Sequence, residues 1–249
     1  MDYGGKNAIG RWGAGWRRAC LVAAITLGLA PPVGASDDFG DRVRDYLLAN
    51  PEVILEAMEV LAARQAEAEG MALISAHAAP AFDPSRAVVL GDPAAPYKIV
   101  ELFDYRCISC KAAHPVLEAF VAERTDVAIL IQQLPILGPQ SDRASRAFLA
   151  TFELYGRAAA EALHAAVFTL PGPISGAVLE AVLTELGHDA GAVETAMYGA
   201  AVTQRVNEMK DMALNLGVVG TPVFLTERTL HQGVATRDLL QSFVAELDG

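Results

Sequence analysis

The chain has 249 residues, of which 53% are hydrophobic and 20% are charged, and its formal net charge is −11. This acidic balance disfavours nucleic acid and anionic membrane surfaces as partners, because both attract basic proteins. The length suffices for one domain with an additional segment.

Residues 1–35 have the pattern of a secretory signal peptide. Three arginines precede an apolar run over residues 19–30, and Val33 and Ala35 occupy the small-residue positions before a cleavage site. The pattern predicts export to the periplasm, and an uncleaved membrane anchor is the alternative. Cleavage would remove Cys20 and would leave a net charge of −14.

A helical arm with its linker is predicted over residues 36–79. Helical periodicity runs up to Gly70, which is expected to end the helix, and Asn50 is expected to restart the chain as an N-cap before Pro51. The arm carries an apolar stripe at helical spacing, formed by Ile54, Met58 and Leu61. The stripe either docks on its own domain or pairs with another subunit. The second reading is favoured and makes residues 37–70 an oligomerisation segment.

A domain of strands and helices is predicted over residues 80–249. Apolar runs over 97–103 and 127–133 flank a helix, and this order predicts parallel strands with a right-handed crossover. An Ala-rich insert over about 139–216 predicts about four short helices. Its breaks are expected at Gly156, residues 171–173, Gly187 and Gly191. The remaining elements are strands over 87–90, 223–226 and 229–232 and a helix over 237–247.

Cys107 and Cys110 stand where the strand over 97–103 gives way to a helix. Unpaired N–H groups and the helix dipole favour a thiolate at Cys107, which we expect to be accessible. Cys110 lies one turn on and can close a disulfide, so the pattern predicts thiol–disulfide exchange. A structural staple over so short a loop would contribute only about 2 kcal/mol. A metal site would have only these two thiolates and would need His114.

Two segments resemble the DsbA family of thioredoxin-fold proteins. One is residues 99–111 around the CxxC, and the other is residues 217–224, which contain Thr221 and Pro222. The arm, through residues 46–54, resembles the N-terminal oligomerisation segment of the ScsC and Com1-like branches. The resemblance implies an α/β, thioredoxin-like fold with an inserted helical subdomain and an N-terminal helical arm.

The resemblance also implies roles for five residues. Cys107 would be the attacking thiolate and Cys110 the buried resolving thiol of a redox-active disulfide. Glu101 would be a buried carboxylate that relays the proton of Cys110 if burial raises its pKa. Pro222 would follow a cis peptide bond and face the CxxC, and Thr221 would offer its backbone to a substrate strand.

The dipeptide between the cysteines departs from the family pattern. Ile108 and Ser109 stand where many oxidases of the family have Pro-His, so the motif leaves the oxidising strength open. The sequence predicts a periplasmic thiol:disulfide oxidoreductase that works through a mixed disulfide at Cys107, as an oxidase or an isomerase. Expected partners are cysteine-containing secreted proteins and a DsbB-like or DsbD-like membrane redox protein, and no cofactor is expected. The alternative is a metal-handling protein that binds copper or zinc through the reduced CxxC.

Overall fold

The computed structural model describes residues 35–248, so residues 1–34 of the predicted signal peptide lie outside the described residues. The chain divides into two compact units, with the boundary between Leu55 and Glu56. Among residues 35–248, no helix combines the length and the apolar character that crossing a bilayer requires.

The N-terminal helices are α1 (Ala35–Ala49) and α2 (Glu52–His77). The side-chain amide of Asn50 donates to the carbonyl of Tyr46 at 2.9 Å, so this residue closes α1 instead of capping α2 as predicted. The prediction that Gly70 ends the helix is wrong, because α2 continues to His77. Ile74 beyond it is buried, and its packing outweighs the helix cost of glycine, about 1 kcal/mol.

Residues 77–84, whose Pro- and Ala-rich sequence predicts a linker, are ordered against the domain. The chain here forms two short 3-10 helices, Ala79–Phe82 and Pro84–Arg86. Two buried side chains, Arg205 and Gln132, donate to backbone carbonyls of the first of these helices at 3.1 and 2.8 Å. The connection from α2 to the sheet is therefore held by hydrogen bonds along its length.

A five-stranded sheet with the order β1-β3-β2-β4-β5 forms the centre of the domain. The strands are β1 (Val88–Leu90), β2 (Tyr97–Phe103), β3 (Val127–Gln133), β4 (Val223–Leu225) and β5 (Leu230–Gln232). β2 and β3 are parallel, as predicted, and the other pairs are antiparallel. Glu101 on β2 is flanked by Ile131 on β3 and Phe224 on β4, so it lies at the centre of the sheet.

The helices of the domain surround this sheet. α3 (Ile108–Glu123) connects β2 to β3, and α9 (Arg237–Asp248) closes the chain. The insert contains α4 (Pro139–Tyr155), α5 (Arg157–Phe168), α6 (Gly176–Glu185), α7 (Ala190–Met197) and α8 (Ala200–Asn215). These are five helices where about four were expected. Gly191 lies inside α7, because the side chain of Asp189 caps that helix by accepting the N–H of Ala192 at 3.0 Å.

Two apolar clusters cover the two faces of the sheet, as the alternation of side chains along β2 requires. Ile99 and Phe103 belong to the cluster that contains both cysteines and much of the insert. Val100 and Leu102 belong to the other cluster, with Ile74 of α2. The alternation places the side chain of Glu101 on the same face as the CxxC.

Candidate active site

The start of α3 organises the cysteine pair. Cys107 is the N-cap residue, and its sulfur accepts the N–H of Cys110 at 3.2 Å. Both cysteines are free thiols, and Cys110 is only 1% exposed. Cys107 is 6% exposed as a whole residue, so it is less open than the accessible nucleophile that the sequence predicts. The reason is a contact from the loop before β4.

That loop contains the two predicted substrate-binding residues. The carbonyl of Thr221 accepts a hydrogen bond from the Cys107 thiol at 3.1 Å, across 114 positions of sequence. The Thr221–Pro222 peptide bond is cis, as predicted. The carbonyl of Pro222 accepts the N–H of Gly233 at 3.0 Å, which ties the loop to the end of β5. The fold thus brings Thr221 and Pro222 to the CxxC.

Glu101 is 1% exposed, and neither of its carboxylate oxygens has a hydrogen-bond partner among the described residues. Burial raises the pKa of Glu101 to about 8. Burial also raises the pKa of the Cys110 thiol, and the nearby charge of Glu101 raises it further. The structure therefore brings Glu101 close to the buried cysteine, and both groups favour their protonated forms.

Asp104, which the sequence analysis did not single out, holds the loop that leads to Cys107. One oxygen of its buried carboxylate accepts hydrogen bonds from the N–H of Arg106 and from the hydroxyl of Ser141, both at 2.7 Å. The other oxygen accepts the N–H groups of residues 136–137 at 2.9 and 3.0 Å. Asp104 thus ties the CxxC loop to the loop after β3 and to α4. An acidic residue directly after a buried apolar strand was the available signal.

Two histidines lie on α3 and α5, and the centres of their rings are 6.2 Å apart. His164 is buried beside the hydroxyl of Tyr105, 3.0 Å from its Nδ1, and burial lowers the pKa of His164 to about 3. Burial also lowers the pKa of His114, although Glu118 at 3.4 Å opposes the shift. Within residues 35–248, no three His, Cys, Asp or Glu side chains converge as a metal ion would require.

A dithiol at the start of a helix, packed against a loop of a thioredoxin-like sheet, defines the class of thioredoxin-fold redox proteins. The sequence model of the DSBA-like thioredoxin domain matches residues 98–245, more than half of the chain. The chain therefore belongs to the DSBA-like thioredoxin family, whose members carry out thiol–disulfide exchange. The model of the copper resistance protein ScsC N-terminal domain matches residues 37–68.

Solved structures agree with this assignment. A thioredoxin-like oxidoreductase from Silicibacter pomeroyi DSS-3 is 30% identical, with a TM-score of 0.61 over 68% of this chain and 96% of that one. The compact conformation of Proteus mirabilis ScsC is 25% identical, with a TM-score of 0.60 over 85% and 97%. A periplasmic thioredoxin-like protein from Salmonella enterica serovar Typhimurium is 26% identical, with a TM-score of 0.53 over 68% and 93%. Among curated proteins, none matches the chain.

Proposed function

We propose that this protein is a periplasmic thiol:disulfide oxidoreductase that exchanges a Cys107–Cys110 disulfide with the thiols of client proteins. One observation carries the proposal: the Cys107 sulfur lies between the N–H of Cys110 and the carbonyl of Thr221, with Cys110 buried behind it. A donor on one side stabilises a thiolate, and the backbone on the other is a group with which an extended client can pair. The signal-peptide pattern supports a periplasmic location.

The exchange proceeds through a mixed disulfide at Cys107. In the oxidised protein, a client thiolate attacks the Cys107 sulfur and the Cys107–Cys110 bond breaks. The electron pair of that bond leaves with Cys110, which takes up a proton. A second client thiolate then attacks the client sulfur of the mixed disulfide and releases Cys107 as a thiolate. The client is oxidised to a disulfide, and the protein becomes the dithiol.

Glu101 is the group that we propose to donate a proton to Cys110 when the disulfide is reduced. Cys110 leaves as a thiolate in a buried site where the thiolate form is disfavoured, so a proton donor beside it helps the step. A carboxyl group with a pKa of about 8 is protonated at neutral pH and can supply that proton. In the reverse direction, the same group accepts the proton when Cys110 attacks a mixed disulfide.

Self-association through residues 37–70 would decide between oxidase and isomerase work. Large apolar side chains of this segment are exposed, including Phe39 at 66%, Leu55 at 63% and Met58 at 63%. An oligomer holds several CxxC sites around one client and suits disulfide rearrangement, whereas a monomer suits oxidation. A DsbB-like or DsbD-like membrane protein would reset the redox state in either case.

The test separates the roles of the two cysteines. Cys107→Ser should abolish exchange with a reduced, unfolded client, because no sulfur remains to form the mixed disulfide. Cys110→Ala cannot hold the internal disulfide, so it is reacted with a client that contains scrambled disulfides. Cys107 attacks a client disulfide, releases one client thiolate and should accumulate as a covalent client adduct, detectable by non-reducing electrophoresis and mass spectrometry. Ser242→Ala, at an exposed position of α9, serves as the control, with adduct levels like those of the unchanged protein. Exchange by Cys107→Ser, or no adduct with Cys110→Ala, would refute the proposal.

A further inference from the structure

A groove beside the CxxC has a composition unlike that of the chain as a whole. It encloses about 410 Å³ between the start of α3 and the loop that joins α5 to α6. Arg106 and Ile108, the two chain neighbours of Cys107, both line it. The groove therefore begins one residue away from the sulfur that we assign as the nucleophile.

The groove is lined by two charged side chains, and both are cations. Arg106 and Lys111 line it, and none of its lining residues is acidic, although acidic residues outnumber basic ones by 30 to 19 in the chain. Within residues 35–248, neither cation forms an ion pair with an acidic side chain. The two positive charges are therefore available to a ligand.

The wall opposite the CxxC is held in place by Gln140 of α4. Its Oε1 accepts the N–H of Ile174 at 2.9 Å and a hydrogen bond from the Arg106 guanidinium at 3.3 Å. This shared acceptor fixes the loop over 170–174 relative to the CxxC loop. Lys111 is placed from the other side, with its ammonium 5.7 Å from the ring centre of Phe168. The groove is thus positioned by contacts already present without a ligand.

We propose that this groove binds the part of a client next to its reacting cysteine, and that Arg106 and Lys111 select clients with an acidic residue there. The inference rests on the proposed function and names the substrate class of the same site. Residues of an extended client follow one another at about 3.3 Å, so a side chain two residues from its cysteine reaches a groove that begins beside Cys107. Exposed Ile108, at 84%, supplies apolar contact at the entrance.

The test measures how fast Cys107 captures a peptide. Mature full-length protein with Cys110→Ala is reacted with single-cysteine peptides activated as disulfides of 2-mercaptoethanol. Attack of Cys107 on the peptide sulfur forms the protein–peptide disulfide and releases 2-mercaptoethanol, and mass spectrometry follows the adduct. Peptides are compared in pairs whose members differ at a single position, which is Glu in one and Gln in the other. In one pair this position is two residues before the cysteine, and in the other it is two residues after it.

The inference predicts that the Glu peptide of at least one pair reacts on the order of fivefold faster than its Gln partner at low salt. Arg106→Gln with Lys111→Gln should bring the ratio close to one, and Arg106→Lys with Lys111→Arg should keep it. Lys98→Gln, which removes one cation at the far end of β2, is the control for a cation outside the groove and should leave the ratio unchanged. A general change in the reactivity of Cys107 would alter both peptides equally and cancel in the ratio.

Two other results have distinct meanings. Equal rates for Glu and Gln peptides in every pair, or a preference that survives removal of both cations, would overturn the inference and leave the proposed function standing. Failure of every peptide to form an adduct would overturn the proposed function itself.

Discussion

Glu101 is a carboxylate in a buried, apolar position, which is costly for a residue with only a structural role. It lies on the central strand, on the face that carries the CxxC, and its two oxygens lack hydrogen-bond partners among the described residues. A buried polar group without partners costs free energy, and a charged one costs more. The group avoids part of this cost by remaining protonated, as its raised pKa indicates. We interpret the remaining cost as the consequence of placing a proton carrier beside Cys110.

This interpretation predicts how stability depends on pH. The pKa of Glu101 is about 8 in the folded protein and about 4.5 in the unfolded chain, so the folded state holds the proton more tightly. The stabilisation is complete below pH 4.5 and is lost as the pH rises through 8, by at most roughly 5 kcal/mol. Glu101→Gln, which stays neutral, should therefore match the unchanged protein near pH 4 and exceed its stability above pH 8.

The measurement is denaturant unfolding of the reduced proteins between pH 4 and 9. Glu185→Gln, on an exposed turn of α6, is the control for loss of a carboxylate and should follow the unchanged protein throughout. Parallel stability curves for Glu101→Gln and the unchanged protein would mean that Glu101 is not held neutral by burial.

At the scale of secondary structure, Gly70 and Gly187 differ in backbone conformation, and the difference decides whether alanine is tolerated. Gly70 lies in the interior of α2, and a Cβ added there meets no atom within 4 Å. Gly187 ends α6 with a positive φ of 79°, and its N–H donates to the carbonyl of Thr184 at 3.0 Å. Alanine suits the first position, because it lowers the conformational entropy of the unfolded chain, and it is strained at the second.

We therefore predict opposite effects of one chemical change. Gly70→Ala should raise the free energy of unfolding by about 0.5–1 kcal/mol, and Gly187→Ala should lower it by about 1–2 kcal/mol. Denaturant unfolding of the two variants measures both effects, and each serves as the control for the other. A loss of stability in Gly70→Ala would contradict the prediction.

The same contrast explains which elements could be predicted from the sequence. β2 and β3 were predicted at their observed boundaries, because each is a mainly apolar run that follows a turn-favouring residue, Pro96 or Asp126. The end of α2 was not predicted correctly. A glycine such as Gly70 favours the end of a helix when only its sequence neighbours are considered, whereas the burial of Ile74 depends on residues distant in sequence. The prediction missed the fifth helix of the insert, because it did not include the break at Gly199 that separates α7 from α8.

The candidate site was predictable to different degrees. The change from a strand pattern to a helix pattern in the sequence placed Cys107 and Cys110 at the start of a helix, as the structure has them. Thr221 and Pro222 required the family resemblance, because 114 positions separate Thr221 from the sulfur that it contacts. Asp104 was missed, because its partners come from three separate segments that only the folded chain brings together.

At the scale of the whole molecule, the segment over residues 37–70 exposes large apolar side chains that a partner could cover. On α2, Ile54, Met58 and Leu61 are 47%, 63% and 55% exposed and recur at helical spacing. Burying each in an interface would contribute about 1.5–3 kcal/mol. The ScsC N-terminal domain matches the same stretch, residues 37–68. A second copy of this segment is the partner that we propose, because a symmetric interface covers the stripe on every copy at once.

We predict that the mature protein is a dimer or trimer and that substituting Ile54, Met58 and Leu61 together with lysine gives a monomer, as measured by light scattering coupled to gel filtration. The monomer should keep dithiol oxidase activity, because each CxxC is complete within one chain. It should lose isomerase activity on a scrambled client, because rearrangement benefits from several sites held around one substrate. Leu214→Lys, at a residue 77% exposed on α8, is the control and should leave the oligomer intact. A monomeric mature protein with the segment unchanged would contradict the prediction.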